Sequence, residues 1–302
     1  MSLSCFKSYD VRGELGRNFD ASIVYRIGRA VADHLDAREI VVGFDARESS
    51  PELTHALISG INDAGSNVLN IGLAGTEEMY WAVTEFNACA GITVTASHNP
   101  INFNGLKFVK SGSQPLDSKN DFKIIKQISE MKNWKDIASK GEIKNIARVA
   151  RRAYVKKVLE FVDLSRLTKQ KIIVNSGNGA AGPTFDAITK FFEMNKVPVE
   201  FIRMNHDPDS SFPNGIPNPM LIENHGPMRH KIVNQNADFG IAFDGDFDRC
   251  FFFDEKGKFI PGEYIVGLLA GVFLEKEPKA SIVHDPRVVW NIRDIIREKG
   301  GV

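Results

Sequence analysis

Cysteine is scarce. Cys5, Cys89 and Cys250 are the only three in 302 residues, and they lie far apart. An odd, sparse set excludes a disulfide framework and lacks the paired spacing of a zinc site. It points to reduced, structural thiols and a cytoplasmic setting. Neither sign of charge is in excess, with 38 basic residues against 38 acidic ones. That balance gives no electrostatic case for nucleic acid or a membrane surface as partner. No apolar run approaches the roughly 20 residues of a spanning helix. The opening MSLSCFKSYDVRG also lacks the apolar stretch of a signal peptide. What is present is 43% hydrophobic residues, enough for two or more domains with cores of their own.

Three stretches share one plan: residues 39–65, 171–197 and 280–302. Each opens on a short β-branched run, passes a polar or Gly-rich loop, and enters a helix. The helices show apolar residues at helical spacing: Leu53, Leu57 and Ile61; Phe185, Ile188 and Phe192; Val289, Ile292 and Ile296. A further strand is expected after the first two units, over 67–71 and 197–202. Strand, helix, strand is the βαβ unit of a mixed or parallel sheet. The third helix meets a C-cap signal at Lys299-Gly300-Gly301 with no partner strand after it. This reads as a unit cut short.

Three clusters carry chemistry. In the first, Ala90–Val94 reads as a strand feeding Thr95-Ala96-Ser97-His98-Asn99-Pro100. A residue before proline avoids the helical region, so Asn99-Pro100 forces a turn. A serine exposed in such a turn, near backbone N–H groups, suits a nucleophile or phosphate carrier. A turn serine that only hydrogen-bonds its own backbone is the competing reading. In the second, Asp244, Asp246 and Asp248 sit between the apolar runs FGIAF and CFFFD. In an extended loop, residues two apart point the same way, so all three carboxylates meet one hard cation, magnesium or calcium. Without a cation they would repel one another. Asp244, Asp246, Asp248 and Glu255 match EF-hand positions 1, 3, 5 and 12. Arg249 replaces the glycine required at position 6, and strands rather than helices flank the loop. Arg249, beside the cation, is placed to hold a phosphate. The third cluster, residues 177–182, fits GxGxxG between a strand and a helix, with Glu200 about 20 residues on. It supports an NAD-dependent oxidoreductase, or else a tight loop whose small residues allow close packing. The dehydrogenase reading leaves the serine and acid loops unused. Lys107 follows Ser97 by ten residues. Beside a bound cation and Arg249 its pKa is expected to be lowered, which makes it a candidate general base.

Together, TASHNP, NGLK, NSGNGAAG, FPNGIPNP, IAFDGDFDRC and IVHDPR resemble the signature segments of the α-D-phosphohexomutases, and CFKSYDVRGELG is similar to that family's start. FPNGIPNP and HDPR resemble its bacterial phosphomannomutase branch. The resemblance implies repeated α/β domains with mixed sheets flanked by helices. Domain I would span 1–145 and domain II 146–253, with 254–302 an incomplete domain III and the fourth domain absent. It implies interconversion of mannose 6-phosphate and mannose 1-phosphate through a phosphoserine at Ser97 and a hexose 1,6-bisphosphate. Mg2+ would be held by Asp244, Asp246, Asp248 and a Ser97 phosphate oxygen. Lys107 resembles the general base, Arg12 a cation near the reacting group, and His98 a support of the nucleophile. Tyr9, Arg249 and Arg287 would contact the hexose phosphate. A chain lacking the later sugar-reading and phosphate-gripping loops is expected to turn over weakly or not at all. A non-catalytic metal- or sugar-phosphate-binding protein is the alternative.

Overall fold

The structure is a computed structural model that describes residues 3–286 and 289–302. Its first part runs β1 (Val11–Glu14), α1 (Ala21–Leu35), β2 (Glu39–Phe44), α2 (Ser50–Asp63), β3 (Asn67–Leu73), α3 (Thr76–Glu85), β4 (Ala90–Val94), β5 (Phe103–Lys110), β6 (Gln114–Pro115), α4 (Asp121–Met131) and β7 (Ile143–Asn145). These strands form one sheet in the order β1-β5-β4-β2-β3-β7, with β6 on β5. The central strands β4, β2, β3 and β7 are parallel, whereas β5 runs antiparallel to both β4 and β1. β4 is buried along its whole length, which is why it reads as a continuous apolar run rather than an alternating one.

Helix α1 starts where Asp20 Oδ1 accepts the Ile23 N–H at 2.8 Å and ends at Asp36, in the left-handed region at φ 46°. Its apolar stripe, Ile23, Val24, Ile27 and Val31, packs with Leu53, Leu57 and Ile61 of α2 over one face of the sheet. Helix α3 covers the other face through Met79, Ala82 and Val83.

The second part runs α5 (Ala147–Leu159), β8 (Gln170–Asn175), α6 (Ala181–Met194), β9 (Val199–Met204), α7 (His225–Gln235), β10 (Phe239–Phe243), β11 (Cys250–Phe253) and β12 (Phe259–Ile260). The sheet order is β12-β11-β10-β8-β9, parallel across β10, β8 and β9 and antiparallel beyond. β12 belongs to this sheet although it lies past residue 253, because it pairs with β11 through Phe252↔Ile260 and Phe253↔Phe259. β9 begins two residues later than the sequence pattern suggests. Pro198 has no N–H for a ladder, and its carbonyl instead accepts the Gln170 N–H at 3.2 Å.

Helices α8 (Gly262–Lys276) and α9 (Trp290–Glu298) pack on each other through Ala270, Leu274, Ile292 and Ile296. The β-branched run before α9, expected as a strand, is not one. Among the described residues it pairs with no strand, and its backbone instead pairs with Val302: Ile282 N–H to the Val302 carbonyl at 2.8 Å, and Val302 N–H to the Ala280 carbonyl at 3.1 Å. Among the described residues, no helix is long and apolar enough to cross a membrane.

Candidate active site

The serine loop leaves the carboxyl end of β4, and the acid loop leaves the carboxyl end of β10. These are the edges where parallel sheets gather ligand-binding loops. The Asn99 N–H donates to the Ala96 carbonyl at 2.9 Å, closing the turn before Pro100. Ser97 sits at φ 51°, and its N–H donates to Thr95 Oγ1 at 2.8 Å. β5 then returns antiparallel, which sets Lys107 opposite Thr93, at the end of β4 that bears the serine.

The acid loop is the connection of the β10–β11 hairpin, closed by the Phe243↔Cys250 pair. It is a turn, not the extended segment expected. Phe247 adopts φ 62°, and its ring packs edge-on against Phe243 with centroids 4.6 Å apart. The convergence of the three carboxylates therefore comes from the turn and not from strand alternation. One oxygen from each of Asp244, Asp246 and Asp248 lies within 4.8 Å of the others. The GxGxxG loop packs directly beneath. A Cβ on Gly179 would stand 2.7 Å from the Gly245 carbonyl oxygen, and the Ala180 N–H donates to that same carbonyl at 3.1 Å. Small residues here let two backbones touch, which gives the glycines a packing role in place of a dinucleotide cradle. Glu200, the acid that the dinucleotide reading needs, is exposed on β9.

Across the two sheets, the Ser97 hydroxyl donates to Asp244 Oδ2 at 3.0 Å, accepts from Arg249 Nη2 at 2.8 Å and lies 3.1 Å from His98 Nδ1. Arg249 also pairs with Asp244 at 2.7 Å and contacts His98 Nδ1. Lys107 Nζ donates to Asp246 Oδ2 and to Asp248 Oδ2, both at 2.6 Å. Thr76, at the start of α3, donates its hydroxyl to Asp246 Oδ2 at 2.8 Å and its N–H to the Asp246 carbonyl at 2.9 Å.

These contacts decide the protonation states. Burial, reinforced by Asp246 and Asp248, pushes Asp244 up to about 7, against the pull of Arg249. Burial acts the same way on Asp246, but Lys107 and Thr76 overcome it and hold that carboxyl below its usual range. At Lys107 burial and the neighbouring carboxylates oppose each other. Burial would lower its pKa, yet the two carboxylates at 2.6 Å raise it above the ordinary lysine value. Burial and the neighbouring guanidinium groups of Arg249 and Arg12 lower His98.

An open cleft of about 900 Å³ lies over this constellation. Tyr9, Arg12, Ser97, His98, Lys107 and Arg249 all line it, so the residues singled out in the sequence meet in one place. Tyr9 is exposed at its rim. Arg12 points into the serine loop, donating to Asn99 Oδ1 at 2.6 Å and the Ala96 carbonyl at 3.2 Å, with Asp10 as counter-ion at 2.8 Å. Arg287 lies outside the described residues. Sequence reading missed Thr76, Tyr80 on the cleft wall, and Arg47, whose buried guanidinium donates to carbonyls of the serine loop. The one available signal was position: 45–50 and 74–76 follow β2 and β3, which run parallel to β4 in the same sheet, and so emerge at the same sheet edge.

The donor set suits a hard divalent cation. It consists of oxygens alone, and Asp246 Oδ1 and Asp248 Oδ1 are buried without a hydrogen-bond partner.

Comparison with known proteins gives concordant results. Residues 4–134 match phosphoglucomutase/phosphomannomutase, alpha/beta/alpha domain I, and residues 152–257 match alpha/beta/alpha domain II. A phosphomannomutase of Salmonella montevideo is 47% identical over 302 residues, covering 99% of this chain and 66% of that protein. Proteins described as phosphohexose mutases from Xanthomonas campestris are 42% identical, covering 100% of this chain and 66% of theirs. The crystal structure of a phosphoglucomutase/phosphomannomutase family protein from Burkholderia thailandensis superposes with a TM-score of 0.88 at 30% identity, covering 100% of this chain and 65% of that one. The chain thus spans 66% of the length of the curated relatives named here.

Proposed function

The chain belongs to the phosphoglucomutase/phosphomannomutase family, and we propose that it carries the phosphoserine centre of a hexose phosphate mutase acting on mannose 6-phosphate and mannose 1-phosphate. The observation that carries this reading is the Ser97 hydroxyl. It is set between Asp244, Arg249 and His98 at 2.8–3.1 Å, at the floor of an open cleft.

Ser97 takes a phosphoryl group from a hexose 1,6-bisphosphate: the Oγ–P bond forms as the sugar O–P bond breaks, and the hydroxyl proton passes to Asp244 Oδ2, to which it already donates. In the reverse direction phosphoserine gives the group to the other hydroxyl of the sugar, which exchanges the phosphate position. Lys107, an ammonium between Asp246 and Asp248, is the proton donor to the leaving sugar oxygen and, in reverse, the acceptor. Arg249 and Arg12 offset charge on the transferring oxygens. His98 holds the serine hydroxyl in place. Tyr9 closes the rim over the sugar. Asp244, Asp246 and Asp248, with an oxygen of phosphorylated Ser97, are the residues that would hold magnesium. When bound, the metal neutralises charge on the phosphoryl group.

Intact-protein mass spectrometry with peptide mapping tests this, before and after incubation with glucose 1,6-bisphosphate and Mg2+. One phosphoryl group on Ser97, absent from Ser97→Ala, is expected. A folded chain that takes none under any metal condition refutes the reading.

A further inference from the structure

Arg47 is 2% exposed, one of the largest fully buried side chains of the described protein. Its guanidinium does not reach the cleft. Nη2 donates to the Ser97 carbonyl at 2.9 Å and the Asn99 carbonyl at 2.6 Å. Nη1 donates to the Pro100 carbonyl at 2.9 Å and the Phe103 carbonyl at 3.1 Å. One planar group thus ties together four carbonyls of the loop that begins at the nucleophile and ends at β5. The group is itself fixed. Its Nε lies 3.4 Å from Asp45 Oδ2, and Asp45 Oδ1 accepts the Arg47 N–H at 3.0 Å and the Ser50 hydroxyl at 2.5 Å. On the remaining side stands Phe212, buried, with its ring centroid 6.0 Å from the guanidinium carbon.

The loop needs such a tie. Ser97 is held at φ 51°, a conformation that is costly for a non-glycine residue and persists only where its surroundings over-determine it. The Ser97 carbonyl is buried with its residue, where an unpaired one is costly. An arginine fits because its donors form a rigid fork. A lysine carries three donors on a point charge and cannot span four acceptors.

We propose that Arg47 is a positioning residue for phosphoryl transfer. Without touching substrate, it fixes the left-handed Ser97 backbone, and so the direction of the Ser97 hydroxyl, through the four loop carbonyls. The inference rests on the proposed phosphoserine chemistry.

The test uses the full chain with Arg47→Lys and Arg47→Ala. Single-turnover phosphorylation of Ser97 is followed against glucose 1,6-bisphosphate concentration, with Mg2+ present. Because a misplacement of about 1 Å costs roughly 10²-fold, the saturating rate is expected to fall about 100-fold in both variants. The half-saturating concentration should move less than threefold, since no substrate contact is lost. Added guanidinium ion is expected to restore Arg47→Ala at least tenfold and to do nothing for Ser97→Ala. Amide hydrogen exchange is measured on the same proteins. Protection at Ser97, Asn99 and Phe103 should fall at least tenfold in Arg47→Lys while β2 and β4 stay protected. Exchange keeps the two claims separable: a parent chain that accepts no phosphoryl group ends the proposed function, and the loop amides still report on Arg47. A folded Arg47→Lys with parental rate and parental loop protection overturns the proposal. So does loss of fold in both variants, which would make Arg47 a residue of folding and not of positioning.

Discussion

Gly245→Ala separates the alignment of the two loops from the identity of their side chains. Gly245 lies between two metal-ligand candidates, and its backbone φ is open to any residue, so alanine brings no intrinsic strain. What it brings is a collision. The new Cβ would stand 2.8 Å from the Ser97 carbonyl oxygen, a backbone atom that cannot rotate away. Ordinary contact begins near 3.4 Å, so the serine loop and the acid loop must separate by about 0.6 Å. If 1 Å of misplacement costs about 10²-fold, this shift costs on the order of tenfold in Ser97 phosphorylation. Overpacking of this kind also destabilises by about 1–3 kcal/mol. Rapid-quench labelling with glucose 1,6-bisphosphate, read by intact mass, gives the rate, and a thermal melt gives the stability. Gly226→Ala is the control. Gly226 lies in α7, and a methyl added there would meet nothing within 4 Å, so this variant should keep the parental rate and be neutral to about 1 kcal/mol more stable. Parental rate and melting temperature in Gly245→Ala would refute the claim that the Ser97–Gly245 approach sets the geometry.

Lys107→Met removes the cation held at 2.6 Å from both Asp246 and Asp248. Breaking a pair this buried costs roughly 3–5 kcal/mol; the melt in EDTA should fall accordingly, and Mg2+ should raise it further than in the parent. Equal melts in EDTA would show that the ammonium does not stabilise the carboxylates. Glu78→Gln tests the seam between the two sheets, where buried Glu78 accepts the Thr184 hydroxyl from α6. Burial raises Glu78 above its ordinary 4.5, with Thr184 and Arg151 opposing. A raised acid binds more protons folded than unfolded, so its contribution is complete below pH 4.5 and is lost as pH rises through the folded pKa. The variant should therefore flatten the fall in stability above pH 4.5. An unchanged pH–stability curve would count against that shift.

Much of the site was legible in the sequence because each part is local. Pro100 dictates a turn after Ser97, and three acids between apolar strands call for a cation, whatever surrounds them. The third unit shows where local reading stops. Ala280 to Val283 has the composition of a strand, but a strand exists only by pairing, and among the described residues no strand pairs with it. The direction of the Lys107 shift is also non-local. The lysine comes from β5 of one sheet and its two carboxylates from a hairpin of the other, 139 and 141 residues away.

Sequence alone determined the family, the strand–helix–strand plan of both sheets, the serine turn and the oxygen-only acid set. All follow from patterns a few residues long. Only tertiary structure decided that the acid loop is a turn, that glycines 177–182 pack under it, and that Arg47 ties the nucleophile loop from beneath. The last two depend on backbone brought together from segments 50 or more residues apart, and no local pattern encodes which buried donor will meet which carbonyl.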